Sequence, residues 1–310
     1  MSNAEGITIE NPTIGIEQFL QIYLVMYADD TVLFAESKSK IQDLLNCYIN
    51  YCELWKLSIN PDKTKIVIFG KNYNKPNIKI RENSLEIVTN FIYLGITFSK
   101  NGRFLNCLKN NIEKARLAFF SLMNRCKDRH IPIDCKLELF EKCIEPILLY
   151  GCEIWGVEDS TLLEKFRLKC YKIIMKAKTS TPGYMLYGEL GLLPLSYHIQ
   201  KRMITYWGKI IQSPTSTISH QLYSIMRYES ETNGVTYKWP DCISKILNNS
   251  GFGNIWRSQT PLSKLDIKNI HQRLKDITLQ QTIEKCSGSN KGKHYIELKN
   301  PGTKKNTYLY

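Results

Sequence analysis

The sequence predicts an α+β fold, with a strand-rich part to about residue 102 and a helical part after it. Three observations carry this. Short apolar runs separated by polar turns occupy residues 22–35 and 65–102. A single amphipathic stripe lies between them: Ile41, Leu44, Leu45, Tyr48, Ile49, Cys52 and Trp55 recur at helical spacing. Beyond residue 103 the 3.6-residue period dominates, first in Leu105, Leu108, Ile112, Ala115, Phe119, Leu122, Met123 and Cys126.

Residues 1–22 are weakly patterned, with "GITI" and "IGIEQFL" as short strands around Asn11-Pro12. Residues 22–35 form a hairpin, Ile22 to Met26 and Thr31 to Ala35, with a polar tip between two buried strands. The following helix starts at a capping box of Ser39 and Gln42 and stops at "INPDKT", where Pro61 breaks it. "KIVIFG" (65–70) is a strand. "FIYLGITFSKNG" (91–102) is one strand ending in an Asn-Gly turn. In the helical part, Asp134 caps a helix running to about Tyr150 with a kink at Pro146. Further helices are expected at 160–178, 194–212, 240–249 and 262–285, and a loose tail at 287–310.

Composition narrows the class. The chain is 310 residues long, 43% hydrophobic and 23% charged, which is a globular composition. No apolar run approaches the ~20 residues of a membrane span. The first residues lack a basic n-region and an apolar h-region, so an intracellular location, nuclear or cytoplasmic, is expected rather than secretion. The ten cysteines include no C-x-x-C pair, which argues against zinc ligation and a disulfide framework. A formal net charge of +13 favours a polyanionic partner, most often nucleic acid, although a solvated cationic surface has the same charge.

The stretch "YLVMYADDTVLFA" (23–35) sets Asp29 beside Asp30 at the hairpin tip. Two carboxylates held close repel, and a cation between them relieves the repulsion. Mg²⁺ takes oxygen ligands of this kind, and a pair of such ions can stabilise phosphoryl transfer. The same two residues also serve as plain turn formers.

The surrounding motifs resemble the reverse transcriptases of non-LTR retrotransposons, the long interspersed element type. "YADDTVLFAES" is similar to their third palm motif. "LLNCYINYCELWKLSINPDKTKIVIFG" is similar to the helix and strand after it, with Trp55, Asn60, Lys63, Thr64 and Lys65. "FIYLGITFSKNGRF" resembles the primer-grip segment. "LFEKCIEPILLYGCEIWG" and "PGYMLYGELGLLPLSYHIQKRMITYWGKI" resemble the thumb and the region after it. The resemblance implies a partial polymerase palm, an antiparallel sheet with a helix, followed by an all-α thumb. The domains it implies are 1–22, an amino-terminal segment; 23–102, the partial palm; 103–215, the thumb-like region; and 216–310, a carboxyl-terminal helical region with a basic tail. It also implies roles. Asp29 and Asp30 would hold Mg²⁺. Tyr27 and Ala28 would touch primer and template. Lys63, with Lys65 as a close competitor, would approach the triphosphate. Leu94 and Gly95 would form the primer grip. RNA template, DNA primer or their hybrid duplex are the implied partners, with no membrane.

The sequence departs from the family pattern before the hairpin. The 28 residues ahead of Asp29 contain no Asp; their acids are Glu5, Glu10 and Glu17, and Glu17 is a poor stand-in for the family's third aspartate. No Gln-Gly nucleotide-binding motif occurs among them. The expectation is therefore a truncated element copy, a split gene product or a fragment, inactive alone and using dNTPs only if the other palm half is supplied. The alternatives are a non-catalytic nucleic-acid-binding module or a decayed copy. In helix 160–178, Lys165, Lys169, Lys172 and Lys176 form a second stripe beside the apolar Leu162, Leu163, Phe166, Cys170, Ile173, Ile174 and Ala177. The stripe fits a phosphate backbone, or a solvated edge of snorkelling lysines. Lys109, Lys114, Arg116, Arg125, Lys127 and Arg129 make helix 105–129 basic as well.

Overall fold

A computed structural model describes residues 7–11, 18–22, 24–70, 76–127, 130–288 and 292. Tyr23, Arg129, Glu5, Glu17 and nearly all of the expected tail lie outside the described residues. The chain divides into two compact units, one of Met1–Asn106 with Thr215–Val235, the other of Cys107–Pro214 with Thr236–Tyr310.

The first unit is built on short strand pairs. β1 (Ile7–Asn11) pairs antiparallel with β2 (Gln18–Ile22), and β3 (Leu24–Tyr27) with β4 (Asp30–Leu33). Helix α1 (Lys38–Leu54) follows, then β5 (Lys65–Val67), β6 (Lys79–Ile80), β7 (Asn83–Ser84), β8 (Glu86–Val88), β9 (Asn90–Tyr93) and β10 (Ile96–Ser99). β6 pairs with β7 and β9 with β10, both antiparallel, whereas β5 and β8 run parallel. The expected antiparallel sheet is thus, among the described residues, a set of two-stranded ladders, one of them parallel. The core gathers Leu45, Ile78, Ile80 and Leu85, with Leu33, Ile41, Ile49, Ile59 and Ile66 packed on it.

The cap of α1 differs from the expected one. Ser37, in extended backbone, is the N-cap and its side chain accepts from Lys40 N at 3.3 Å. Gln42 is taken up elsewhere. Its side-chain amide accepts from Lys79 N and donates to Lys79 O, both at 2.9 Å, so it extends the edge of β6 and clips α1 to it. At the other end Trp55, expected on the buried stripe, is the C-cap and is exposed.

Residues 91–102 form a hairpin where the sequence pattern suggests one strand. Leu94 and Gly95 both have positive φ, 47° and 79°, the sign pattern of a type I′ turn. Asn-Gly is the usual signature of that turn, and Leu-Gly hides it. Gly95→Ala should lower the stability of this unit by roughly 1–2 kcal/mol, the cost of a left-handed non-glycine residue. Leu94→Asn should raise stability, because Asn tolerates that backbone. Urea midpoints of the two variants check both signs.

The second unit is helical: α2 (Leu105–Lys127), α3 (Ile133–Leu139), a π-helical turn (Phe140–Ile144), α4 (Glu145–Leu148), α5 (Cys152–Trp155), α6 (Thr161–Ile174), α7 (Gly183–Leu190), α8 (Leu195–Gln212), α10 (Lys238–Asn249), α11 (Gly253–Ser258) and α12 (Lys264–Ser287). Between α8 and α10, α9 (Ile218–Thr232) belongs to the first unit. The helix expected to be capped by Asp134 starts instead at Ile133, with Pro132 in the N-cap position and Asp134 in its first turn. The expected break at Pro146 takes the form of the π-turn. A proline has no N–H to donate and its ring crowds the preceding turn, so the helix widens there, and Glu145 N–H reaches back to Phe140 O. The core of this unit holds Trp155, Trp207, Leu163, Leu195 and Met203, and a run of rings, Phe119, Phe140 and Tyr171. Gly156 has no room for a side chain: a Cβ there would lie 2.6 Å from Ile199 Cγ2 and from Met203 Sδ. No described helix is long and apolar enough to cross a membrane.

Candidate functional site

Asp29 and Asp30 sit at the β3–β4 turn. Tyr27 pairs with Asp30, which leaves Ala28 and Asp29 as the two turn residues. Ala28 has φ 53° and Asp29 is not in the positive region, the sign pattern of a type II′ turn, whose first position ordinarily holds Gly. The backbone at this carboxylate pair is therefore strained, and such strain clusters at functional sites. The hairpin is not buried as expected. Leu24, Val25, Met26 and Tyr27 are all exposed, Tyr27 to 65%, and so are both aspartates. The apolar pattern of a strand tells that a face can be covered, not that it is.

Lys63 and Lys65 are separated by their partners. Lys65 Nζ lies 2.7 Å from Glu86 Oε2, across the parallel β5–β8 pair. Lys63 is exposed and makes no ion pair among the described residues. Its backbone is fixed by Asn60, whose Oδ1 accepts from Asp62 N at 3.0 Å and Lys63 N at 3.2 Å. That turn, rather than Pro61 alone, shapes "INPDKT". Leu94 and Gly95 are the β9–β10 turn described above, and Leu94 is exposed.

The lysine stripe belongs to the second unit, and the structure shortens it. Lys165 and Lys169 are exposed on α6. Lys172 is half-buried, and its Nζ donates to Thr179 O at 2.7 Å, closing the loop after the helix. Lys176 is not on the helix. It lies two residues beyond Ile174 with φ 54°, in the left-handed position that ends a Schellman turn; Lys176 N donates to Ile173 O and Ala177 N to Lys172 O. Leu162 and Ile173, expected on the apolar face, are exposed.

The side chain that takes their place inside is Arg167, 1% exposed. Its Nε donates to Glu145 Oε2 at 3.1 Å, its Nη1 donates to Leu193 O at 2.7 Å, and the guanidinium lies 5.3 Å from the centre of the Tyr171 ring. Glu164, one turn earlier, lies 3.5 Å from Arg167 and accepts from Leu195 N–H, the first residue of α8. One pair of charges on α6 thus caps α8 and holds the loop before it. Burial works against the Arg167 charge, but Glu145, Tyr171 and Glu164 more than offset it and push its pKa up. Burial, then the positive Arg167 and Lys201, lower His198 to about 4, so it is neutral near pH 7. Sequence reasoning misses this cluster. Its signal is an arginine spaced four from Leu163 and three from Cys170, inside the apolar stripe.

Comparison with known proteins adds the family. Residues 7–98 match the family model described as reverse transcriptase (RNA-dependent DNA polymerase). Among curated proteins, the "RNA-directed DNA polymerase from mobile element jockey" of Drosophila melanogaster is 25% identical over 174 residues, 53% of this chain and 19% of that protein. The "Probable RNA-directed DNA polymerase from transposon BS" of the same organism is 26% identical over 203 residues, 60% of this chain and 22% of that protein. The "Probable RNA-directed DNA polymerase from transposon X-element", also of that organism, is 23% identical over 217 residues, 64% of this chain and 23% of that protein. The chain spans about a fifth of the length of these relatives. No solved structure matches. Residues 7–98, with the Asp29–Asp30 hairpin among them, are thus similar to reverse transcriptases, and the wider chain is similar to part of the RNA-directed DNA polymerases of these mobile elements.

Proposed function

We propose that this chain contributes one part of a reverse transcriptase: a palm segment bearing Asp29 and Asp30, and a helical, thumb-like region that grips the template–primer duplex. The observation that carries this reading is the strained, exposed turn of adjacent aspartates inside the stretch that matches the reverse transcriptase model. Lys63, which makes no ion pair among the described residues whereas Lys65 is engaged by Glu86, is the better candidate to approach the triphosphate. Tyr27 and Ala28 would meet the primer end, and Leu94 and Gly95 the primer backbone.

The two carboxylates fit Mg²⁺ in kind, being exposed hard-oxygen donors on one turn. They fit it as one edge only. Among the described residues, no group of three or more His, Cys, Asp or Glu side chains is placed to hold an ion. A site of one or two carboxylates completed by substrate phosphates is common for this ion. Bound there, Mg²⁺ would supply charge stabilisation at the transferring phosphoryl group. What the chain's own residues do is orient: the β3–β4 pairing fixes both aspartates, and Asn60 fixes the turn of Lys63. The 310 residues by themselves are proposed not to polymerise, since no aspartate precedes Asp29 to close the site.

Exposed Lys165 and Lys169, with Lys176 just past the helix, support duplex contact through phosphates. Replacing Lys165, Lys169, Lys172 and Lys176 by Glu should weaken binding of an RNA–DNA hybrid at least tenfold. It should also flatten the slope of affinity against salt, by about 0.9 for each phosphate no longer neutralised. Lys172→Glu alone should act mainly on stability, through Thr179 O. Titration of labelled hybrid across a salt series checks this, and an unchanged slope in the quadruple variant would remove the helix from the interface. A non-catalytic nucleic-acid-binding module makes the same binding prediction and parts from the polymerase reading only at Asp29.

A further inference from the structure

The rings of α1 form a ladder that begins at the aspartate hairpin. The Tyr48 hydroxyl lies 2.9 Å from Thr31 Oγ1, and Thr31 follows Asp30. Tyr48 stacks on Tyr51 at 6.4 Å between ring centres with 19° between planes, and Tyr51 meets Trp55 at 6.2 Å and 47°. Residues 48, 51 and 55 share one helix face, and the run covers about 10 Å of helix at ~1.5 Å per residue. The outer rungs stand in solvent, Tyr51 to 48% and Trp55 to 64%.

The acidic residues of α1 itself lie off the ladder face. At ~100° per residue, Asp43 and Glu53 fall off this face, and Glu53 is turned to Arg81 at 2.6 Å. The far end closes on Lys56, held at φ 57° in the left-handed position after the helix, where Gly is the ordinary residue. Two hydrogen bonds keep it there: Lys56 N donates to Glu53 O at 3.1 Å and Leu57 N to Cys52 O at 2.7 Å.

We propose that this ladder is a stacking path for single-stranded nucleic acid, leading from the Asp29–Asp30 hairpin along α1 to Lys56. It rests on the reading above for its substrate class. Aromatic rungs that expose ring surface and end on a cation are how proteins hold single strands without reading sequence, because every base offers a π-face. A polymerase that works on a single-stranded template needs such a surface beside its site. Leu54 and Leu57, also exposed, flank the ladder. They are the side chains a protein partner would use instead, and the variants below tell the two apart.

The experiment measures binding of the full 310-residue chain to short labelled oligothymidylate and oligouridylate, and separately to a hybrid duplex. Tyr51→Ala and Trp55→Ala should each weaken single-strand binding by about tenfold, with hybrid binding unchanged. Trp55→Phe should keep most of the affinity. Oligonucleotide should quench the tryptophan emission of the parent chain, and the quench should shrink in Trp55→Phe. Both positions are exposed, and circular dichroism confirms that the variants fold. Wild-type affinity in both alanine variants would overturn the ladder alone. So would retention of affinity in Trp55→Leu with loss in Leu54→Ala, the pattern of an apolar protein contact. A parent chain that binds neither single strand nor hybrid would overturn the ladder and the nucleic-acid reading together.

Discussion

Replacing Arg167 by Ala is expected to destabilise the helical unit by about 3–5 kcal/mol, more than any surface change in the chain. The cost has a structural source. Without the guanidinium, Glu145 remains buried with no countercharge, and Leu193 O loses the donor it has at 2.7 Å. Glu164 keeps its bond to Leu195 N–H but loses the cation beside it. Restoring the interior by removing both charges should recover much of the loss. Arg167→Met with Glu145→Leu should be markedly more stable than Arg167→Ala, because a pair replaced by apolar groups leaves no buried charge unpaired. Tryptophan emission during urea unfolding reads this out well, since Trp155, Trp207, Trp239 and Trp256 all lie in the helical unit and only Trp55 lies in the other. If Arg167→Ala unfolds at the parent midpoint, the cluster is not what joins α6 to α8. In the proposed duplex contact the same cluster would also matter, because it seats α6, which carries Lys165 and Lys169.

What the sequence shows plainly here is what depends on nearby residues. The hairpin of Asp29 and Asp30 is legible because two apolar runs and a polar turn are local signals, and Tyr27 does pair with Asp30. The stripe of α1 is legible from Ile41 to Cys52 for the same reason. Pro146 marks its own disturbance, since a missing N–H acts within one turn. The failures are of another kind. Ser37 and Ser39 are both good caps, and the choice between them falls to Gln42, which a distant strand recruits. The β9–β10 turn is invisible because Leu94 is a poor residue for a left-handed position and occupies it anyway. Neither α7 nor α9 is among the helices expected from the sequence. Arg167 is hidden because a charge inside an apolar stripe makes sense only when Glu145, far along the chain, is seen beside it. Exposure of the aspartate hairpin is likewise a tertiary fact. Within the candidate site, Lys63 and Lys65 are two residues apart and alike in sequence, and only the pairing of Lys65 with Glu86 tells them apart.

The second large effect concerns catalysis. Asp29→Ala is expected to remove polymerase activity by a factor of about 10³ or more wherever that activity can be assembled, since electrostatic stabilisation of the phosphoryl group is most of what such an enzyme supplies. Lys63→Ala should cost less, about 10–100-fold, as loss of one cation or proton donor. Lys65→Ala should act chiefly on the β5–β8 pair, through Glu86, and leave turnover within a few-fold of the parent. The assembly that makes these numbers measurable is a fusion of the preceding fingers and palm segment of a related element ahead of Ile22. That fusion supplies the aspartate that does not occur among the 28 residues ahead of Asp29.

Primer extension on an RNA template, with the 310-residue chain and the fusion assayed side by side, is the most direct measurement. The expected result is no extension by the chain at any Mg²⁺ concentration, extension by the fusion, and loss of that extension in the fusion carrying Asp29→Ala. Extension by the unmodified chain that disappears with Asp29→Ala would contradict the need for a further carboxylate. Extension by the fusion that survives Asp29→Ala would contradict the assignment of the hairpin as the catalytic site.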